Sequence, residues 1–261
     1  MTWNPGRYLQ YEDARLRPAL ELLARIPLDA PATVADLGCG AGNVARRLAE
    51  RWPSARITGV DADDAMLARA REATAGDARF TFVRADLAQW RAATPFDVVY
   101  SNAALHWLDG HAALFPRLAR SVAPGGALAV QMPDNFDGPS HVLLEQVARS
   151  AAWRERLGAR VRSRPVARPH DYFEWLAPHV AALDVWTTEY LQHLPRRDDG
   201  EHPVLAWMRG TALLPYMSAL DDAAQRAFAS ELATGLAQAY PPRADGSVLF
   251  PFRRLFVVAR R

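Results

Sequence analysis

Apolar residues recur along this chain at two spacings, and the two spacings alternate. "TVADL" (33–37), "RITGVD" (56–61), "RFTFVRAD" (79–86), "FDVVYSN" (96–102) and "ALAVQM" (127–132) are short apolar runs, the pattern of strands. Between them, "NVARRLAERW" (43–52), "DAMLARAREAT" (64–74) and "HAALFPRLARSVAPGG" (111–126) repeat apolar residues at helical spacing. Asp63 or Asp64 is available to cap the second of these, and a Pro-Gly-Gly turn stops the third. "RPALELLARI" (17–26) is an amphipathic helix ahead of the first strand, with Pro18 placed in its first turn. Strands alternating with helices of this length predict βαβ units and a mostly parallel sheet. The domain spans about 33–133, and its ligand belongs at the carboxyl ends of the strands.

The pattern then changes. "SHVLLEQVARSAAW" (140–153) reads as a helix, and "RERLGARVRSRPVARP" (154–169) as an exposed arginine-rich connection or short helix. "VAALDVWTTEYLQHL" (180–194) has the β-branched and aromatic content of a strand. Two helical stretches follow at 203–217 and 221–240, and "SVLFPFRRLFVVAR" (247–260) closes the chain as a strand or hairpin. The expected fold is α/β, a doubly wound, mostly parallel seven-stranded sheet with a helical cover inserted between the last strands. Its parts are a lid and helix over 1–30, a ligand-binding core over 31–134, the cover with one late strand over 135–246, and a final strand over 247–261.

Composition narrows the chemistry. The chain has 261 residues, half of them hydrophobic, with a formal net charge of +2, which makes no electrostatic case for nucleic acid. All 31 residues counted as Lys+Arg are arginine. Schiff bases, a P-loop phosphate lysine and a lysine general base are therefore excluded. Cys39 is the single cysteine, so there is no intrachain disulfide and no cysteine-rich metal site. His106 and His111 are five apart and lack metal-ligand spacing, so no metal is expected. No signal-peptide pattern opens the chain, and no apolar run approaches the ~18 residues of a membrane span. The expectation is a cytoplasmic protein with no membrane partner; its oligomeric state is left open, a monomer being compatible with the sequence.

"VADLGCGAGN" (34–43) runs from a strand through a glycine-rich turn into a helix. A dinucleotide loop has G-x-G-x-x-G spacing, whereas here Gly38, Gly40 and Gly42 alternate. Asp36 lies two residues before the first glycine, where its carboxylate would repel a pyrophosphate and favour a cationic ligand. S-adenosylmethionine, with a sulfonium, an ammonium and no phosphate, fits. Asp61 ends the second strand, where an acid accepts from ribose hydroxyls. Asp86 ends the third, placed to accept from an adenine amine, with Leu87 beside it to pack on the ring. Each acid alone reads equally well as a helix cap; one at each of three successive strand tips is the stronger signal.

"VADLGCGAGN", "ITGVDAD", "VRADL" and "VAPGGALAVQMPD" resemble, in order and spacing, the motifs of class I S-adenosylmethionine-dependent methyltransferases. The resemblance implies a Rossmann-like methyltransferase fold. It implies that Asp36, Gly38, Gly40 and Asn43 surround the methionine portion, Asp61 the ribose, and Asp86 with Leu87 the adenine. Ala62, Met66, Asn102, Ala103 and His106 complete the implied cofactor site. The fourth strand tip, "SNAALHWL" (101–108), lacks the Asn/Asp-Pro-Pro-Tyr/Phe of amino-methylating nucleic-acid enzymes, and no Pro-Cys nucleophile exists.

"WNPGRYLQY" (3–11), "RPALELLARIP" (17–27), "NAALHWL" (102–108), "LAVQMPDN" (128–135) and "FPFRRLFVVARR" (250–261) look more narrowly like the trans-aconitate 2-methyltransferase family. That resemblance implies methyl transfer to a carboxylate of trans-aconitate, giving a monomethyl ester and S-adenosylhomocysteine. Another small-molecule carboxyl, O- or C-methyltransferase is the alternative, acting on a malonyl carrier protein or a quinone precursor. A carboxylate with a pKa of ~4 is ionised at neutrality and needs no general base, so His106 would be a donor near the reacting centre. Arginine suits the other carboxylates of a small tricarboxylate. Arg7, Tyr8, Arg253, Arg254, Arg209, Trp107, Gln131 and Asn135 are the candidates. Trp3, Trp186 and Trp207 read as core residues.

Overall fold

The computed structural model describes residues 12–162 and 164–261. In chain order the elements are α1 (Glu12–Ala24), β1 (Thr33–Leu37), α2 (Asn43–Arg51), β2 (Arg56–Asp61), α3 (Asp64–Ala73), β3 (Phe80–Arg84), β4 (Phe96–Asn102), α4 (His111–Arg120) and β5 (Val122–Pro133). Then come α5 (Pro139–Arg149), α6 (Arg154–Leu157), α7 (Pro169–Leu176), β6 (Ala182–Leu194), α8 (Pro203–Arg209), α9 (Leu214–Met217), α10 (Asp222–Ala239) and β7 (Val248–Arg260). The chain divides into two compact units. A sheet unit comprises Arg15–Pro133, Pro165–Thr188 and Arg254–Arg261; a helical unit contains Asp134–Arg164 and Glu189–Arg253.

In the sheet unit, seven strands take the order β3-β2-β1-β4-β5-β7-β6. β3 to β5 are mutually parallel, and β7 runs antiparallel to β5. The order reverses between β1 and β4, so the carboxyl ends of those strands form the switch point where ligands bind in such sheets. The amino ends are stapled by Asp97, whose Oδ2 accepts from the backbone N–H groups of Ala32 and Thr33 at 2.8 and 2.9 Å. Val34, Leu37, Ile57, Val98 and Leu128 are buried in the sheet, as continuous apolar strands covered on both faces require.

Several boundaries differ from the sequence reading, each for a local reason. α1 begins at Glu12, so Pro18 lies inside the helix rather than in its first turn. Asp63, not Asp64, caps α3, accepting from Ala65 and Met66 backbone N–H groups at 2.8 and 3.2 Å. α4 stops at Arg120, and the Pro-Gly-Gly turn belongs to β5. Val122 pairs with Phe96, and Gly125 and Gly126 exchange backbone hydrogen bonds with Arg261. The end of the chain is one long strand, not a hairpin. The unassigned stretch near 170 is α7; Pro169 opens it, and Asp171 accepts from the Arg168 backbone N–H at 2.9 Å. α7 packs on α4 through Tyr172, whose ring meets Phe115 edge-on at 4.6 Å and whose hydroxyl lies 2.6 Å from His111 Nδ1. Trp186 stacks on Phe256 at 4.9 Å, a packing role.

The helical unit has its own apolar core. Leu144, Trp153, Leu157, Trp207, Phe228, Leu232, Leu236 and Phe250 are buried together. Trp207 sits against Phe250 and Phe252, so it too is a packing residue. The helical stretch 203–217 is two short helices, because the chain turns at 210–213. Residues 135–246, expected as one block, are split: 165–188 fold with the sheet. No helix among the described residues is long and apolar enough to cross a membrane.

Candidate active site

The glycine turn after β1 is shaped by its neighbours. Gly38 and Cys39 both donate to the Val60 carbonyl, at 2.7 and 3.1 Å, which bends the chain across the end of β2. Gly38 has φ +76, and a Cβ there would lie 2.2 Å from Ala104 Cβ. Gly40 has φ +53 but none of the described residues within 4 Å of such a Cβ. The two substitutions to alanine should therefore separate. Gly38→Ala should lower stability by about 2–4 kcal/mol, through strain and collision together. Gly40→Ala should cost about 1 kcal/mol, from φ alone. Urea denaturation of the ligand-free protein checks the pair, and equal losses would mean that Ala104 yields.

Asp61 closes the same turn: Oδ2 accepts from the Gly40 N–H at 2.9 Å and Oδ1 from the Asp63 N–H at 3.0 Å. Asp86 lies just beyond β3, accepting from the Ala88 N–H at 2.9 Å. Leu87 approaches the glycine turn, its Cδ1 standing 3.7 Å from where a Gly38 Cβ would be. Asn43 opens α2, and Ala62 and Met66 lie between β2 and the first turn of α3.

Asp36 is the electrostatic centre of this group. It is only 1 % exposed, and its Oδ2 has no hydrogen-bond partner among the described residues. Burial, with the charge of Asp61 adding to it, pushes its pKa from 3.8 to about 7. The sequence treats Asp36 as a standing carboxylate; in the free protein near neutrality it is partly protonated. A cation beside it would restore the charged form.

Two more orphaned polar atoms occupy neighbouring strand ends. Asn102 Oδ1, at the end of β4, and Gln131 Nε2, in β5, are buried without partners among the described residues. Asn102 and Gln131 are register partners, and Ala103, at φ +51, donates to the Gln131 carbonyl at 2.9 Å. Buried acceptors at the ends of β1 and β4 are what a cationic group needs, so the residues fit a ligand carrying an ammonium or sulfonium. The next turn, Leu105–Trp107, is held by His111, whose Nε2 lies 3.0 Å from the Leu105 carbonyl. It presents His106 beside Trp107, rings 4.8 Å apart, and Trp107 is 45 % exposed.

The candidate arginines separate. Arg254 is buried beside Gln131, donating to Oε1 at 3.3 Å. Arg253 is the next residue of the strand, so its side chain takes the opposite face. It donates through Nε to Asp134 Oδ2 at 3.1 Å in the helical unit. Asn135 is also used there, its Oδ1 accepting from the Arg253 backbone N–H at 3.3 Å. Arg209 is paired with Glu201 at 2.5 Å. Arg7, Tyr8 and Trp3 lie outside the described residues. Sequence reasoning missed Arg164, Asp134 and Asp137, which join Arg253 in one ion-pair cluster. Nothing periodic marks them; the only signal is the Asp-x-x-Asp spacing after β5.

A family model described as "Methyltransferase domain" matches residues 34–126. A protein named trans-aconitate 2-methyltransferase from Methylobacterium nodulans is 47 % identical over 99 % of this chain and 98 % of its own. One of the same name from Streptomyces avermitilis is 46 % identical over 100 % of this chain and 97 % of its own. Among solved structures, phosphoethanolamine N-methyltransferase 2 of Haemonchus contortus, in complex with S-adenosyl-L-methionine, aligns with a TM-score of 0.57. It is 20 % identical, over 93 % of this chain and 52 % of that one, a likeness of fold.

Proposed function

The chain belongs to the trans-aconitate 2-methyltransferase family, and from that premise we propose that it transfers the methyl group of S-adenosylmethionine to a carboxylate of trans-aconitate. The observation that carries the reading is identity running the whole length of both chains, through the helical unit as well as the sheet. A shared cofactor core alone would not reach beyond the sheet.

S-adenosylmethionine supplies a methyl carbon on a positively charged sulfur, which leaves as a neutral thioether. The rest is the work of this chain's residues. Asp36 and Asn102 offer buried acceptors to a cationic methionine portion. Asp61 keeps lone pairs for ribose hydroxyls while bracing the Gly40 turn. Asp86 and Leu87 take the adenine, and Ala62 and Met66 flank it. On the acceptor side no proton has to be removed, because a carboxylate with a pKa of ~4 is already ionised at neutrality. The arginines then have two tasks: they neutralise the carboxylates that do not react, and they orient the one that does. Arg254 and Gln131 are assigned to that work, with His106 a donor and Trp107 a wall.

The test is an acceptor screen of small di- and tricarboxylates with the purified protein. Trans-aconitate should give a monomethyl ester. His106→Ala should retain kcat within about tenfold, since losing a donor removes no obligatory proton transfer. Ester formed from no aconitate isomer would end the reading; kcat abolished in His106→Ala would end the mechanism without a base.

A further inference from the structure

Within the sheet unit, α4 sends a cation across to the loop after β3. Arg117, in the last turn of that helix, donates from Nη2 to the Leu87 carbonyl at 3.0 Å. The other end of the same peptide group is also held, because the Ala88 N–H donates to Asp86 Oδ1 at 2.9 Å. The 87–88 peptide therefore lies between a guanidinium on its carbonyl and a carboxylate on its N–H. A peptide dipole is negative at oxygen and positive at the N–H, so it is aligned with both charges. The Asp86 backbone carbonyl is engaged too, accepting from the Gln89 and Trp90 N–H groups at 3.0 and 2.9 Å. Asp86 Oδ2 takes part in none of these bonds, and the residue is exposed.

The place is otherwise a poor one for a cation. Arg117 Nε is buried and has no hydrogen-bond partner among the described residues. Burial, then the like charges of Arg91 and Arg120, hold its pKa below the usual arginine value, and Asp86 is the opposite charge that offsets them. A guanidinium partly desolvated and crowded by like charges costs the fold stability. What it is bonded to is the loop that carries both Asp86 and Leu87.

We propose that Arg117 is a positioning residue for adenine recognition: through the 87–88 peptide it sets the Asp86 carboxylate and the Leu87 side chain against the base. This rests on the reading of Asp86 and Leu87 as the adenine site. With Oδ1 spent on the Ala88 N–H, Oδ2 is the atom left to accept from the exocyclic amine. Arg117 acts through Leu87 and Asp86, not on the base itself. Without it the peptide can rotate, and the carboxylate keeps its charge but loses its direction.

The full chain is titrated calorimetrically with S-adenosylhomocysteine and with S-inosylhomocysteine, in which a carbonyl replaces the exocyclic amine. The parent should prefer the adenine compound, because Asp86 accepts from an amine and repels a carbonyl. Arg117→Met keeps an apolar stem and removes the fork. It should weaken S-adenosylhomocysteine by about five- to twentyfold and S-inosylhomocysteine by less, so that the preference shrinks by about three- to tenfold. Arg117→Lys, which can still donate to the Leu87 carbonyl, should recover most of the preference. Asp86→Asn should abolish it, and adding Arg117→Met should then cost less than about twofold more, since both act on one contact with the base. Full binding stoichiometry reports folded protein, and Arg117→Gln repeats the comparison should the methionine variant unfold. Equal weakening of the two compounds by Arg117→Met would show a structural role alone and overturn the proposal, as would losses that multiply in the double variant. If Asp86→Asn leaves the preference intact, the adenine assignment fails and the proposal with it. Ester formation is measured separately, so failure of the proposed reaction leaves the binding results standing.

Discussion

Replacing Asp36 by asparagine should stabilise the ligand-free protein above neutrality and disable cofactor binding in the same variant. The folded pKa of Asp36 is raised from 3.8 to about 7, chiefly by burial. A carboxyl raised in this way favours folding while it is neutral, and that contribution is complete below the unfolded value. As pH rises from about 4 to about 7, the unfolded chain ionises freely while the folded one resists, so stability falls across that window and is level above it. The shift corresponds to a loss on the order of 4 kcal/mol. Asparagine has the shape without the charge. Ligand-free Asp36→Asn should match the parent near about pH 4 and exceed it by a few kcal/mol near about pH 8. Thermal or urea unfolding across that range reads the difference, and parallel curves would refute it.

Binding should move the other way. A cationic ligand needs the carboxylate, so the parent must release a proton on binding at pH values below its free pKa. Affinity should rise about tenfold per pH unit up to about pH 7 and then level off. Asp36→Asn should bind S-adenosylmethionine more weakly by about 2–5 kcal/mol, the usual cost of removing one partner of a buried charge pair, and its pH profile should be flat. Calorimetry in two buffers of different ionisation enthalpy counts the proton directly.

That Asp36 stands at a strand tip before a glycine turn was legible in the sequence, but its burial and protonation state were not. The residue sits in a local pattern, strand then glycines, and strand-tip acids repeat at β2 and β3. Burial depends on what covers the strand, and a charged neighbour at Asp61 arrives from twenty-five residues away. The same division runs through the fold. β1 to β5 follow from periodicity because buried parallel strands are apolar throughout. α7 escaped, since its eight residues bury only Tyr172 and Leu176, too short a run to show a period. The Pro-Gly-Gly turn misled because the glycines sit within a strand, bonded to the far end of the chain. Arg164 was least legible. It lies in an arginine-rich stretch without periodicity, and its partners stand 27 and 30 residues earlier. An ion pair formed across that distance leaves no trace in local spacing.

Phe228→Ala should separate the two halves of the reaction. Phe228 is fully buried in the helical unit, edge-on to Trp153 at 5.2 Å and stacked with Tyr216 at 6.2 Å. Truncating such a ring costs about 3–5 kcal/mol, from lost burial and the cavity left behind. Every assigned cofactor residue is in the sheet unit, which has its own buried strands. S-adenosylhomocysteine affinity should therefore stay within about twofold of the parent, as for independent sites. Identity with the relatives runs through the helical unit, so ester formation is expected to need it and should fall with its folded fraction. Hydrogen–deuterium exchange over 139–157 and 203–239 against temperature reports that unit, and calorimetric titration reports the other. Early loss of exchange protection there with cofactor binding retained is the expected result. Coincident loss of both signals would show instead that the helical core and the strand-tip acids unfold together.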